Sequence, residues 1–244
     1  MEGCWKHPLS RRRARIREKE IEAESPKILP LVSLRPLSPL KISICFIFLL
    51  ADTLTGTLKM PEASLSKEKM EKATFAGGCF WCMQPVFDKM KGVISTTVGY
   101  TGGTKENPTY EEVSSGETGH TEAIQVVYDP SQVSYAELLD AFWQSIDPTD
   151  PRGQFADQGS QYRTAVFYQN EDEKRLALAS KEKLAKSGKF DEPVVTEITP
   201  VSKFYKAEDY HQKYYVKNAG HYYQYKVGSG REGFLNKMWA KKGQ

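Results

Sequence analysis

The chain has 244 residues, long enough for one or two domains, and its 39% hydrophobic and 11% aromatic content suffices to build a core. The net charge of +3 is unevenly placed: residues 1–60 hold 11 Lys/Arg against 6 Asp/Glu, whereas the remainder holds 23 against 25. The remainder therefore has no basic field of the kind that grips nucleic acid, and four cysteines are too few for a disulfide-stapled secreted scaffold.

Residues 1–70 read as a leader, different in composition from the rest of the chain. Arg11, Arg12, Arg13, Arg15 and Arg17 cluster near the start, and Pro26, Pro30, Pro36 and Pro39 then interrupt any regular hydrogen bonding. The apolar run from Ile42 to Leu50 is too short to span a bilayer but matches the apolar region of a signal peptide, with Lys41 just before it. No small-residue cleavage site follows. Three readings stay open: an export signal, a disordered leader, or sequence upstream of a true start at Met60 or Met70. A cytoplasmic location is favoured if the segment is not a real signal, and export otherwise. Cys4 and Cys45 fall in this leader and receive no catalytic role.

From Glu71 the pattern becomes that of a folded domain, residues 71–244. Lys72–Ala76 predicts a short strand, broken by Gly77-Gly78. A helix is expected from Cys79 to Met90, with Val86, Phe87 and Met90 at helical spacing and Pro85 tolerable near its first turn. Glu122–Tyr128 alternates as a strand, ended by Asp129-Pro130. Ser134 and Glu137 form a capping box for a helix whose Leu138, Leu139, Phe142, Trp143 and Ile146 make one apolar stripe. Residues 147–159 read as loop, Arg163–Tyr168 as a strand, Glu171 to about Ser187 as a helix capped by Asn170, and Val194–Ile198 as a strand closed by Pro200. The Tyr- and Lys-rich tail from Phe204 carries one helical stretch near Ala207–Tyr215. The alternation predicts one α+β domain, a mixed sheet with helices packed on it.

Cys79 and Cys82 form a C-x-x-C pair, the spacing of redox or metal chemistry. A thiolate is the nucleophilic form of cysteine, and a position at a helix N-terminus favours it. Two preceding glycines allow a tight turn that leaves the sulfur exposed. Phe80 and Trp81 fit an apolar wall for a small greasy group, and equally an ordinary core pair. Glu122 at a strand entry fits either a desolvated proton donor or a solvated edge residue. Tyr110 and Tyr162 offer hydroxyl donors or packing, and Asp157 lies in a polar loop. His120, His211 and His221 lack zinc-ligand spacing with the cysteines, so no metal is expected. No phosphate loop or dinucleotide fingerprint is present, Gly99–Gly103 included, and no cofactor is expected.

Gly78-Cys79-Phe80-Trp81 resembles the signature of the A-type peptide methionine sulfoxide reductases. Val98–Gly103, Asn107–Tyr110, Gly119–Glu122, Val127–Pro130, Gln161–Arg163 and Ala207–Gln212 are similar to family blocks in the same order, over roughly residues 71–225. The resemblance implies a ferredoxin-like two-layer sandwich with a mixed β-sheet and an irregular C-terminal tail. It implies Cys79 as the residue that attacks the sulfoxide sulfur, Phe80 and Trp81 as the methyl pocket, and Glu122 as the acid. Tyr110, Tyr162 and Asp157 would line the same site. The implied reaction is reduction of the S-epimer of methionine sulfoxide, free or in proteins, with thioredoxin or another dithiol as reductant. Many members carry recycling cysteines near the C-terminus; this chain has none after Cys82, and some members place the second cysteine where Cys82 stands. The resemblance thus implies Cys82 as the resolving thiol and a Cys79–Cys82 disulfide as the oxidised state. A monomer is the expected assembly. A thioredoxin-like disulfide oxidoreductase and a structural zinc module are the rival readings of the C-x-x-C pair.

Overall fold

The computed structural model describes residues 70–240, so the expectations for the leader, including Ile42–Leu50, Cys4, Cys45 and Met60, lie outside it. The chain runs β1 (Glu71–Gly77), α1 (Phe80–Asp88), β2 (Val93–Thr101), α2 (Tyr110–Ser114), β3 (Thr121–Tyr128), α3 (Tyr135–Trp143), β4 (Gly153–Gln154) and β5 (Asp157–Gln158). A 3-10 turn at Ser160–Tyr162 leads to β6 (Thr164–Tyr168), α4 (Glu171–Ala185), β7 (Glu197–Pro200), β8 (Tyr205–Lys206), α5 (Tyr214–Lys217), α6 (Ala219–Gly228) and α7 (Arg231–Trp239).

The main sheet has the order β7-β6-β1-β3-β2-β8. β1 lies antiparallel between β3 and β6, and β2 lies antiparallel to β3. These four strands with α1 and α3 make the β-α-β-β-α-β arrangement that the resemblance implies. β7 adds a parallel pair beside β6, which makes the sheet mixed.

Alternation on β1 decides which face is the core. Phe75 is fully buried and stacks between Phe87 of α1 and Phe142 of α3, with ring centroids 5.2 Å from each. This triplet locks α1 onto the sheet and thereby fixes what lies at its N-terminus. Truncating such a ring to alanine costs about 3–5 kcal/mol. Ala76, next along, faces the other way with Ala123, Ala165 and Phe167, under Phe204.

Several boundaries depart from the sequence expectations. α1 is shorter than Cys79–Met90, and Pro85 stands in its second turn. Loss of one backbone hydrogen bond there is offset by the packing of Met83, Pro85 and Phe87, all buried. The strand expected over Val194–Ile198 lies at Glu197–Pro200, because its parallel register pairs Val166 with Ile198 and Tyr168 with Pro200. Val195 instead donates its N–H to the Pro148 carbonyl at 2.8 Å. Pro200 sits inside the strand because this is the sheet edge, where a missing N–H is tolerated.

The tail is less irregular than its composition suggests, since α5, α6 and α7 wind it along α1. Gln212 accepts from the Val98 N–H and donates to the Val98 carbonyl at 3.0 and 2.9 Å, which pins the tail beside β2. Lys213 donates its N–H to Gln84, and Tyr215 donates to Asp88, both at 2.7 Å and both on α1.

Candidate active site

The turn between β1 and α1 is built for close approach. Gly78 has φ +75, and a Cβ there would lie 2.5 Å from the Gln154 side chain. Only glycine satisfies both the left-handed backbone and the contact. Cys79 comes next as the N-cap of α1, as its sequence position predicts, and its carbonyl accepts the Cys82 N–H at 3.0 Å. The two thiols are hydrogen-bonded to each other one helical turn apart.

The expected exposed, anionic Cys79 is corrected by the structure. Its residue exposure is 6%, and Arg231 of the tail bonds the Gly77 carbonyl of the same turn. Burial pushes the Cys79 thiol well above its usual range, assisted by the hydrogen bond it donates to Cys82 and by the negative fields of Glu122 and Asp157. Cys82 moves the opposite way: the hydrogen bond from Cys79 lowers it against the cost of burial, and the Arg231 guanidinium adds to the effect. Of the two, Cys82 is therefore the more acidic thiol.

Glu122 enters from the start of β3 and is 3% exposed. Its Oε2 accepts the Phe80 N–H at 3.0 Å, which fixes the carboxyl group against the first turn of α1. Burial raises its pKa well above the ordinary 4.5, more than that hydrogen bond lowers it. Burial thus favours the carboxylic acid form of Glu122 beside Cys79. Asp157, on the short β4–β5 hairpin, is also raised by burial, although a hydrogen bond from Tyr225 and the Arg231 charge oppose the shift.

Phe80 and Trp81 form one aromatic cluster with residues that the sequence reading left without a role. The Trp81 indole donates to His211 Nδ1 at 3.0 Å and stacks on Tyr214 with centroids 3.8 Å apart. With Nδ1 accepting, a neutral His211 carries its proton on Nε2. Burial pushes His211 down to about 4, so the neutral ring is the form present at neutral pH. His211 also lies against the rings of Phe80 and Tyr110, at 4.9 and 4.4 Å. Glu208 accepts from the Tyr110 N–H at 2.9 Å and from the Tyr100 hydroxyl at 2.8 Å, tying the start of α2 to the same cluster. The family-like block Ala207–Gln212 was the available signal for Glu208 and His211.

Tyr162 is buried at the end of the 3-10 turn, and the Thr121 hydroxyl donates to the Gln161 carbonyl at 2.9 Å, holding that turn beside Glu122. Arg231, at the start of α7, is 3% exposed and donates to the Gly77 carbonyl at 2.9 Å and the Ser145 carbonyl at 2.7 Å. It clamps the tail to the turn that carries Cys79. His120 lies apart from this cluster, bonded to the Gly103 N–H and the Lys105 carbonyl. Among the described residues, no group of three His, Cys, Asp or Glu side chains gathers as metal ligands would.

The site can present a thiol, a retained acid and an aromatic wall to one small substrate. Its sequence matches the family model "Peptide methionine sulfoxide reductase" over residues 71–243. The chain belongs to the peptide methionine sulfoxide reductase family. It is 56% identical over 175 residues to the peptide methionine sulfoxide reductase MsrA of Bacillus subtilis, covering 72% of this chain and 99% of that relative. Among solved structures, reduced Mxr1 from Saccharomyces cerevisiae is similar at 32% identity and a TM-score of 0.59, over 62% of this chain and 87% of Mxr1. Methionine sulfoxide reductase A of Corynebacterium diphtheriae is similar at 35% identity and a TM-score of 0.57, over 63% and 77%. In this reductase, then, the cluster around Cys79 lies within the matched region.

Proposed function

We propose that this reductase acts on the S-epimer of methionine sulfoxide, free or in proteins, through residues 71–244, with residues 1–70 a leader that takes no part in the chemistry. The methyl group of the substrate lies against Phe80 and Trp81, and the Tyr110 and Tyr162 hydroxyls hold the sulfoxide oxygen. Glu122 gives that oxygen a proton, because an unprotonated sulfoxide oxygen is a poor leaving group. Cys79 yields its proton to the Glu122 carboxylate so formed and attacks the substrate sulfur as thiolate, making a sulfur–sulfur bond. The hydroxyl then moves from the substrate sulfur to the Cys79 sulfur as the new sulfur–sulfur bond breaks, so methionine leaves and Cys79 is left as a sulfenic acid.

Cys82 then condenses with the sulfenic acid, forming the Cys79–Cys82 disulfide and one water. Thioredoxin or another dithiol reduces that disulfide and is itself oxidised. The enzyme works as a monomer, and no nucleic acid takes part. The observation that carries the reading is the buried Glu122 carboxyl, its pKa raised, pinned by the Phe80 N–H one residue from Cys79. A thioredoxin-like disulfide exchange would have no use for that acid.

Incubation with resolved sulfoxide epimers and dithiothreitol, followed by methionine release, tests it. Methionine should appear from the S-epimer alone. Equal turnover of both epimers would refute the stereochemical reading, and no turnover would refute the function.

A further inference from the structure

Cys79 and Cys82 face different surroundings. Cys79 lies beside the Glu122 and Asp157 carboxyl groups and the aromatic wall. Cys82 lines a separate cavity of about 360 Å³ between α1, α3, α6 and α7. Three of its lining residues are cationic, namely Lys89, Lys226 and Arg231, and none is a carboxylate. Lys89 is exposed at the C-terminal end of α1, whereas Arg231 is buried and bonded to backbone carbonyls. Lys226 pairs at 2.9 Å with Glu232, which does not line the cavity. Phe80, Trp81, Glu122 and Asp157 do not line it either. The volume is at the small end of ligand pockets, about 300–1,000 Å³.

We infer that this cavity is the entry port for a reducing thiol: a small thiolate bearing carboxylates enters it and attacks the Cys82 sulfur of the Cys79–Cys82 disulfide. The inference rests on that disulfide forming as proposed above. Attack makes a bond between the incoming sulfur and Cys82, breaks the Cys79–Cys82 bond, and leaves Cys79 as thiolate to take up a proton. A second thiolate then attacks the incoming group's sulfur, releasing Cys82 and a small-molecule disulfide, so two thiols are oxidised for each protein disulfide reduced. Leaving-group chemistry favours the opposite polarity, since Cys82 is the more acidic thiol of the resting pair. The cavity decides for Cys82: an anion that enters it meets Lys89, Lys226 and Arg231, and Cys79 does not line it.

The test begins with protein carrying a mass-verified Cys79–Cys82 disulfide. Its reduction by mercaptosuccinate and by neutral 2-mercaptoethanol is compared per thiolate, with iodoacetamide quenching and fragmentation of the peptide that holds both cysteines. The anionic thiol should react about tenfold faster at low salt and lose that advantage as salt rises. Lys89→Glu should erase most of the preference, and Lys226→Gln should reduce it without reversing charge near α7. Mercaptosuccinate should be found on Cys82 and the alkyl group on Cys79. An adduct on Cys79, or a preference indifferent to salt and to both variants, overturns the port. Absence of the disulfide before any thiol is added overturns the port and the proposed recycling step together.

Discussion

The site has two halves of different origin. The sheet-borne half, the β1–α1 turn with the first residues of β3, supplies Cys79, Cys82 and Glu122, the groups proposed to exchange protons, oxygen and electrons. The tail-borne half, residues 207–231, supplies His211, Tyr214, Tyr225 and Arg231, which contact the first half by hydrogen bonds and ring contacts. The first half is rigid because Phe75, Phe87 and Phe142 fix α1 on the sheet. The second half packs against that turn, and burial raises Cys79 and Glu122 and lowers His211. The difference teaches that reactive groups placed by the sheet are enclosed in part by a segment far along the chain.

Substitutions in the sheet-borne half should have the larger effects. Cys79→Ser should lower kcat/KM for the S-epimer by more than about 10³-fold, as loss of a nucleophile does. Retention of turnover would remove the basis of the comparison. Glu122→Gln should cost about 10²–10⁴-fold, the range of a lost general acid. The sign of its pH dependence is fixed by the raised pKa: the acid form persists above the carboxylate range, and activity falls as pH rises through Glu122's own pKa. That alkaline limb should be absent from the kcat/KM profile of Glu122→Gln; its persistence would assign the proton to another group.

Tail substitutions should be felt in stability and positioning. His211 is held at about 4 against 6.5, so its contribution is present above pH 6.5 and is lost as pH falls through about 4. The unfolded chain takes up the proton first, and the full effect approaches about 3 kcal/mol. Urea unfolding at pH 7 and pH 4.5 should therefore show a steeper acid loss for the natural protein than for His211→Asn. Parallel losses would mean that the ring is not buried neutral. Tyr225→Phe should be the mildest change, removing one hydrogen bond to Asp157 at about 1 kcal/mol and lowering kcat/KM tenfold or less. A loss as large as that of Glu122→Gln would place Tyr225 with the reacting groups instead.

The same division explains what was legible in the sequence. β1, β3, α3 and α4 have clear alternation, capping boxes or caps, and the structure places them within a few residues of expectation. β2 went unread because Gly99 and Gly102-Gly103 look like loop. In the fold, Gly99 is required in the strand, since a Cβ there would lie 2.2 Å from the Tyr205 carbonyl of β8. Cys79 at a helix N-terminus was legible from the Gly-Gly break and the helical spacing after it. Its burial was not, because the residues that cover it are more than a hundred positions away and carry no periodic signal. Arg231 illustrates the limit: in sequence it is one more basic residue in a basic tail, and only the fold brings it to the carbonyls of Gly77 and Ser145.

The central claim is that oxygen passes from the substrate to the sulfur of Cys79. Cys82→Ser protein, mixed with the S-epimer and dimedone but no reductant, tests it by quantified methionine release and peptide mass. The account predicts one equivalent of methionine and one dimedone adduct, on Cys79. Methionine formed with no adduct there, or no methionine at all, would contradict it.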